Sequence, residues 1–260
     1  MASTQDPLPS PIPPHTLLSE YYRSNSERSA FIRKLFDRTA PDYNWISQVL
    51  SFGSGKRYRL NALQRAGLSR GMNVLDVACG PGTLTCHVLK IVGEPGLVLG
   101  LDPSIGMLRE AARNTNARWI QGLSEYLPFH DGTFDFVSMG YALRHMSDLR
   151  VVFREHYRVL KPGGVLLILE IASPHSRAQF AITKFYLKRV VPFITWVGTR
   201  NTHAHKLMRY FWETIESCVP SDQIIEAMQS VGLDSATMTE IGGGVIRNYQ
   251  AVKPKTREGF

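Results

Sequence analysis

Val74-Leu75-Asp76-Val77-Ala78-Cys79-Gly80-Pro81-Gly82-Thr83 decides the fold. An apolar run, Asn73–Ala78, enters a turn of small residues and leaves it as Leu84–Ile91, which reads as a helix. Glycine at positions 80 and 82 lets a ligand reach the backbone where a side chain would block it. The turn also delivers free N–H groups at a helix start.

Outward from this turn the alternation continues. Val98–Leu101 reads as a second strand and Ile105–Arg113 as a second helix. Trp119–Gln121 and Phe134–Met139 read as strands, Leu149–Leu160 as a helix and Val165–Ile171 as a buried strand. This order predicts an α/β fold, a Rossmann-like, mostly parallel sheet with helices on both faces. Between Ser176 and Glu216 aromatics interleave with bases (Phe180, Lys184, Phe185, Lys188, Arg189, Phe193, Trp196), which predicts a helical lid over 176–216. A helix at Ser221–Val231, closed by Gly232, and strand pieces to Val252 complete the chain. Toward the N-terminus, Leu17–Leu50 reads as helix broken near Pro41, within a helical cap over 17–60. Residues 1–16 hold five prolines and no apolar period, which predicts a disordered or extended tail ahead of a single domain, 17–260.

The bulk numbers narrow the class. With 260 residues, 43% of them hydrophobic, the chain can bury one sizeable core. Cys79, Cys86 and Cys218 are odd in number and lack metal-ligand spacing, so free thiols in a reducing compartment are expected, and no metal site. No apolar run approaches the roughly 18 residues of a membrane span. The first residues lack the pattern of a secretory signal, so the expected location is cytoplasmic. The net charge of +8 reads as a solvated basic surface or as attraction to an acidic partner such as anionic lipid. No nucleic-acid motif accompanies it, and no nucleic-acid partner is expected. A homodimer is compatible with the sequence, which does not fix the oligomeric state.

Asp102 ends the second strand, where a carboxylate can accept bonds from both hydroxyls of a ribose. Its alternative role is to cap the helix that begins at Ser104–Met107. The third glycine of a dinucleotide fingerprint is absent, since position 85 is Thr. Asp76, ahead of the glycines, would repel a pyrophosphate and suits a cationic amine. S-adenosylmethionine carries an ammonium, a carboxylate and a sulfonium but no phosphate, and it is the cofactor these residues fit.

Together, Asp76–Thr83, Asp102, Leu127-Pro128-Phe129 with Phe134-Asp135, and Arg158-Val159-Leu160-Lys161-Pro162-Gly163-Gly164 resemble a class I methyltransferase. More narrowly, roughly Phe36 to Lys253 is similar to the ubiquinone/menaquinone biosynthesis C-methyltransferases. The narrower markers are Phe36-Asp37, Ala40, Tyr43, Leu50-Ser51-Phe52-Gly53, Leu143-Arg144 with Asp148, and Tyr210 with Glu213 and Ile215. Four places depart from that pattern: Asn44 stands for Asp, His145 for Asn, Leu123-Ser124 for Asn-Ala, and Tyr249 for a His. The glycine turn and Asp102 keep the pattern, while several substrate-side positions differ.

The resemblance implies a small aromatic or quinol substrate and a set of site residues. Cofactor contacts are expected from Asp76, Ala78, Gly80, Pro81, Gly82, Asp102, Pro103, Met107, Leu123, Ser124 and Gly140. His145 is the expected general base, because a phenol needs help to lose its proton at neutral pH. Arg144 would steady the phenolate, its alternative being a salt bridge to Asp148. Tyr43 would close over the ligands, and Tyr210, Tyr141 and Tyr249 would line the substrate side. Packing is the plain alternative for His145, Tyr43, Tyr210 and Met107, and a solvated turn for Glu125. The basic, aromatic lid either covers its own sheet or contacts a membrane surface. Two further functions stay open: methylation of another small aromatic or specialised metabolite on O, N or C, and a non-catalytic sensor of S-adenosylmethionine.

Overall fold

The computed structural model describes residues 11–51, 54–199 and 201–255. Seven strands form one sheet: β1 (Asn73–Val77), β2 (Leu97–Asp102), β3 (Arg118–Gln121), β4 (Phe134–Gly140), β5 (Leu160–Ile171), β6 (Asp234–Ile241) and β7 (Ile246–Val252). Their order is β3-β2-β1-β4-β5-β7-β6. Every neighbouring pair from β3 to β5 is parallel, and β7 runs antiparallel to β5 and β6. β1 and β4 are buried along nearly their whole length, as strands covered on both faces must be.

Helices α2 (Gly55–Arg65), α3 (Thr85–Val92), α4 (Ile105–Asn114), α5 (Leu149–Val159) and α9 (Ser221–Ser230) cover the sheet. Gly232, with φ of 94°, lies just beyond α9 as expected. One core cluster joins Leu75, Val137, Phe153 and Ile168 on one face, and another joins Val74, Val88, Phe136 and Leu167 on the other. A third cluster lies outside the sheet. It packs α1 (Asn25–Leu50) against α8 (Thr202–Glu216) through Ile32, Leu35, Ile46, Leu207 and Phe211.

α1 corrects the expectation of a helix from Leu17 broken near Pro41. It starts at Asn25, where Ser24 accepts the Glu27 N–H at 3.2 Å and Glu27 accepts the Arg23 N–H at 2.7 Å, a reciprocal capping box. It then runs through Pro41 without a break. Pro41 has no N–H to give the Asp37 carbonyl four residues earlier. That carbonyl faces Gly106 of α4, where a Cβ would approach to 2.9 Å. The proline thus sits where α1 and α4 come closest.

Residues 11–16 are not a free tail. Ile12 donates to Asp148 and accepts from the Leu149 N–H at 2.9 Å, and Pro14 accepts from the Val219 N–H. His15 is buried and pairs with Cys218 as a bridge. Backbone groups and an apolar side chain dock this stretch, which composition alone does not disclose. Residues 1–10 of the expected tail lie outside the described residues.

The expected lid resolves into α6 (Arg177–Phe185), a π-helical turn (Tyr186–Val190), α7 (Val191–Thr199) and α8. It packs on α1 rather than on the sheet.

Candidate active site

The carboxyl ends of β1, β2 and β4 open into one cavity of about 340 Å³, at the point where the strand order reverses. Its floor is the turn after β1, with Asp76, Ala78, Cys79, Gly80, Pro81 and Thr83. One wall holds Asp102, Pro103, Ser104, Met107, Leu123, Ser124 and Glu125. Gly140, Tyr141, Ala142, His145 and Met146 line the side after β4, and α1 forms the roof with Ile32, Arg33, Phe36, Tyr43 and Ser47.

Sterics fix the turn. Gly80 lies at φ 56° and nothing stands within 4 Å of where its Cβ would be, so its bare backbone opens on the cavity. Gly82 answers a different need: it does not line the cavity, and a Cβ there would meet the Trp119 ring at 2.8 Å. Ala78 and Tyr141 are two of three non-glycine residues in the left-handed region among the described residues, and both line the cavity. Such backbone costs about 1–3 kcal/mol per residue and persists where surrounding structure forces it.

Both acids are held by their neighbours. The fully buried Asp76 accepts from Thr85 Oγ1 at 2.6 Å and Ser138 Oγ at 2.8 Å. The threonine that replaces the third glycine therefore serves the carboxylate of Asp76. Asp102 accepts the Gly80 N–H and the Ser104 N–H, each at 2.8 Å, so each oxygen keeps a lone pair for a ligand. Burial, opposed by these hydrogen bonds, pushes each acid up to about 6. Asp102 is not the helix cap, because Ser104 caps α4 with its own hydroxyl on the Met107 N–H at 3.1 Å.

Asp37 of α1 was outside the expected contacts. Its Oδ1 accepts Ser104 Oγ at 2.6 Å and the Gly106 N–H at 2.9 Å, which ties the roof to the start of α4. An acid suits a helix N-terminus electrostatically. Glu125 is likewise more than a solvated turn, since Oε1 accepts the Ser147 N–H and hydroxyl. Ser124 is buried with its hydroxyl 3.2 Å from His156 Nε2, and Met107 is buried at the wall.

His145 lines the cavity. Its ring stacks between Tyr210 and Phe211 at 5.5 and 5.7 Å, with the Phe36 edge at 5.3 Å. Neither ring nitrogen has a protein partner. Burial, and then the cations of Arg144 and Arg28, hold the imidazole well below its ordinary pKa, so it is neutral at pH 7. Tyr43 and Tyr141 line the cavity, and burial pushes both phenols up to about 12.

Besides Gly82, three expected contacts lie elsewhere. Arg144 is fully buried behind His145, paired with Glu170 and not with Asp148, and its guanidinium lies 4.8 Å from the centre of the Phe211 ring. Asp148 instead caps α5 on the Arg150 N–H. Tyr210 is core, packed among Tyr21, Tyr22 and Phe31 behind His145. Tyr249 is buried on β7 with its hydroxyl on Ser221 at 2.8 Å. None of the described residues of 176–216 lines the cavity, so α1 closes it and the expected lid supports α1 from outside. Phe52 and Gly53 lie outside the described residues.

The open Gly80 backbone, the buried acid beside it and a cavity of nucleoside-binding size fit S-adenosylmethionine. Known proteins agree. The S-adenosylmethionine-dependent methyltransferase of Aquifex aeolicus shares the fold, with a TM-score of 0.57 at 20% identity over 80% of this chain and 98% of that one. Phosphoethanolamine N-methyltransferase 2 of Haemonchus contortus, solved with S-adenosyl-L-methionine, has a TM-score of 0.63 at 18% identity over 90% of this chain and 61% of that one. In sequence, the chain is 32% identical over 238 residues to the demethylmenaquinone methyltransferase of Lactococcus lactis, covering 88% of this chain and 91% of that protein. The ubiquinone/menaquinone biosynthesis C-methyltransferase UbiE of Haemophilus ducreyi is 29% identical over 237 residues, 88% of this chain and 90% of that protein. Residues 22–253 match the ubiE/COQ5 methyltransferase family as a whole, and the chain belongs to that family of S-adenosylmethionine-dependent methyltransferases.

Proposed function

We propose that the enzyme C-methylates the ring of a polyprenyl quinol. The observation that carries this reading is His145, neutral and unpartnered at both ring nitrogens, lining the cavity whose opposite floor is the Gly80 turn. The names of the relatives point the same way.

Asp102 would take the ribose hydroxyls, the Gly80 turn the amino-acid end, and Met107, Leu123 and Ser124 the base. S-adenosylmethionine, when bound, supplies a methyl group already activated on a sulfonium. The enzyme's remaining tasks are alignment and exclusion of water. α1 roofs the cavity and supplies the apolar faces of Phe36 and Tyr43 against a planar ring.

Ring carbon becomes nucleophilic when the neighbouring hydroxyl loses its proton to water before the cavity closes. After the carbon takes the methyl from sulfur, the ring C–H proton leaves to water as the aromatic ring is restored, with S-adenosylhomocysteine as the other product. An imidazole held well below its ordinary pKa by burial, and then by two nearby cations, is a poor place to store the hydroxyl proton. The same cations favour an anion at that place. Both ring nitrogens of His145 are buried, so a turn of the ring would bring one to the substrate hydroxyl as a hydrogen bond, and Arg28 and Arg144 stabilise the phenolate through space. Arg28 is buried and donates to the Arg144 carbonyl at 2.8 Å, with no carboxylate partner among the described residues. A polyprenyl tail keeps such a substrate in a bilayer, so turnover takes place at a membrane surface.

Lipid extracts of a strain lacking the protein test this reading. A quinone one methyl group lighter than the normal product is expected, restored by the wild-type chain. A normal quinone profile would contradict it and favour methylation of another small aromatic.

A further inference from the structure

From Ile171 to Trp212 the sequence holds no Asp or Glu but seven bases: Arg177, Lys184, Lys188, Arg189, Arg200, Lys206 and Arg209. This stretch of 42 residues therefore carries nearly all of the net charge of +8. Arg200 lies outside the described residues. Within the stretch the structure exposes large apolar side chains: Ile182, Phe185, Phe193, Ile194, Trp196 and Val197, with Phe193 at 63% and Trp196 at 54%. A globular surface rarely leaves such a set uncovered without use for it.

The two features meet in one groove. Lys188, Arg189 and His205 line it together with Pro192, Phe193, Trp196 and Thr202. Lys188 and Arg189 belong to the π-helical turn between α6 and α7. Such turns interrupt the regular helix and often mark functional positions. Lys184 pairs with Glu216, and Arg209 with Glu20 and Glu213. Lys188 and Arg189 have no carboxylate partner among the described residues.

We propose that the outer face of α6 and α7 docks on an anionic phospholipid bilayer. Lys188, Arg189 and the groove would receive lipid phosphate, while Phe193, Trp196 and their aliphatic neighbours enter the headgroup boundary. Charge complementarity selects this occupant. A second copy on the same face would set Lys188 and Arg189 against their own counterparts. Nucleic acid would find aromatic rings in Phe193 and Trp196, but the exposed aliphatic surface of Ile182, Ile194 and Val197 beside them matches the acyl boundary of a bilayer and no part of a phosphate backbone. The face lies on the side of α1 away from the cavity, in contact with the roof through α1 and α8. Docking there deepens the quinol reading, yet it is measured without any quinol.

Flotation of the full chain with vesicles tests the surface. The protein should float with phosphatidylcholine vesicles carrying phosphatidylglycerol and stay behind with phosphatidylcholine alone. Raised salt should weaken the association. Lys188→Ala with Arg189→Ala should reduce partitioning about thirtyfold, the equivalent of about 2 kcal/mol for two bases near an anionic surface. Phe193→Ala with Trp196→Ala should abolish flotation. S-adenosylmethionine affinity, read by calorimetry, should stay unchanged in both variants and so reports on folding. Brominated lipid should quench the fluorescence of the wild type, and Trp196→Phe should remove most of that quenching. Absence of wild-type flotation, equal flotation on neutral vesicles, or a dimer that Phe193→Ala with Trp196→Ala dissolves would overturn the proposal. The quinol reading would still stand or fall on the lipid extracts.

Discussion

At the scale of single residues, the fate of one proton separates two roles for His145. A general base contributes about 10²–10⁴ in rate, whereas a neutral hydrogen bond is worth about 1 kcal/mol, or several-fold. Burial, and then the cations behind the ring, disfavour an imidazolium, which favours the hydrogen bond. His145→Asn should therefore keep kcat within about tenfold, and the pH profile of kcat at saturating S-adenosylmethionine should show no inflection near 6.5 in either form. An inflection there that the substitution removes would restore the base role. The cavity-lining residues were legible because each sits in or beside a local motif: Asp76 and Gly80 in the turn, Asp102 and Pro103 after β2, Gly140 and His145 after β4. Arg144, Tyr210 and Tyr249 lie outside the cavity lining because long-range packing decides what they face. Glu170 claims Arg144 from 26 residues away, and Ser221 claims the Tyr249 hydroxyl from 28.

At the scale of elements, α1 decides whether the cavity is closed. Asp37 accepts two hydrogen bonds from the start of α4 beside Asp102, without lining the cavity itself. Asp37→Ala should loosen that corner, weaken S-adenosylmethionine binding about tenfold and speed amide exchange at Gly106 and Met107. Unchanged exchange and affinity would show that the roof holds by apolar packing alone. The start of α1 differs from the expected Leu17 because Ser24 and Glu27, three residues apart, form a capping box that outweighs the apolar period before it. Its passage through Pro41 was not readable, because the partner that makes the proline acceptable is α4, more than 60 residues on. The alternation of strands and helices between Asn73 and Ile171 was legible throughout, since apolar period and turn chemistry agree there.

Over the whole molecule, the sheet brings three strand ends to one cavity, and the charge is concentrated on the far side of the roof. The class of fold follows from strand order, which the sequence pattern implies. Closure by α1 instead of the 176–216 helices follows from an apolar cluster between α1 and α8, which no local pattern discloses. Cofactor binding reports on the assembled whole through Asp102. Its carboxyl, pushed up to about 6, is protonated below that pH and charged above it, so affinity is full above pH 6 and falls as pH drops through it. Calorimetric titration of S-adenosylmethionine into the wild type and Asp102→Ala, from about pH 5 to about pH 8, tests this account most directly. Wild-type affinity should decline by up to about tenfold per unit below pH 6, and Asp102→Ala should bind about a hundredfold more weakly at neutral pH. An Asp102→Ala variant that binds as tightly as the wild type at neutral pH would contradict it.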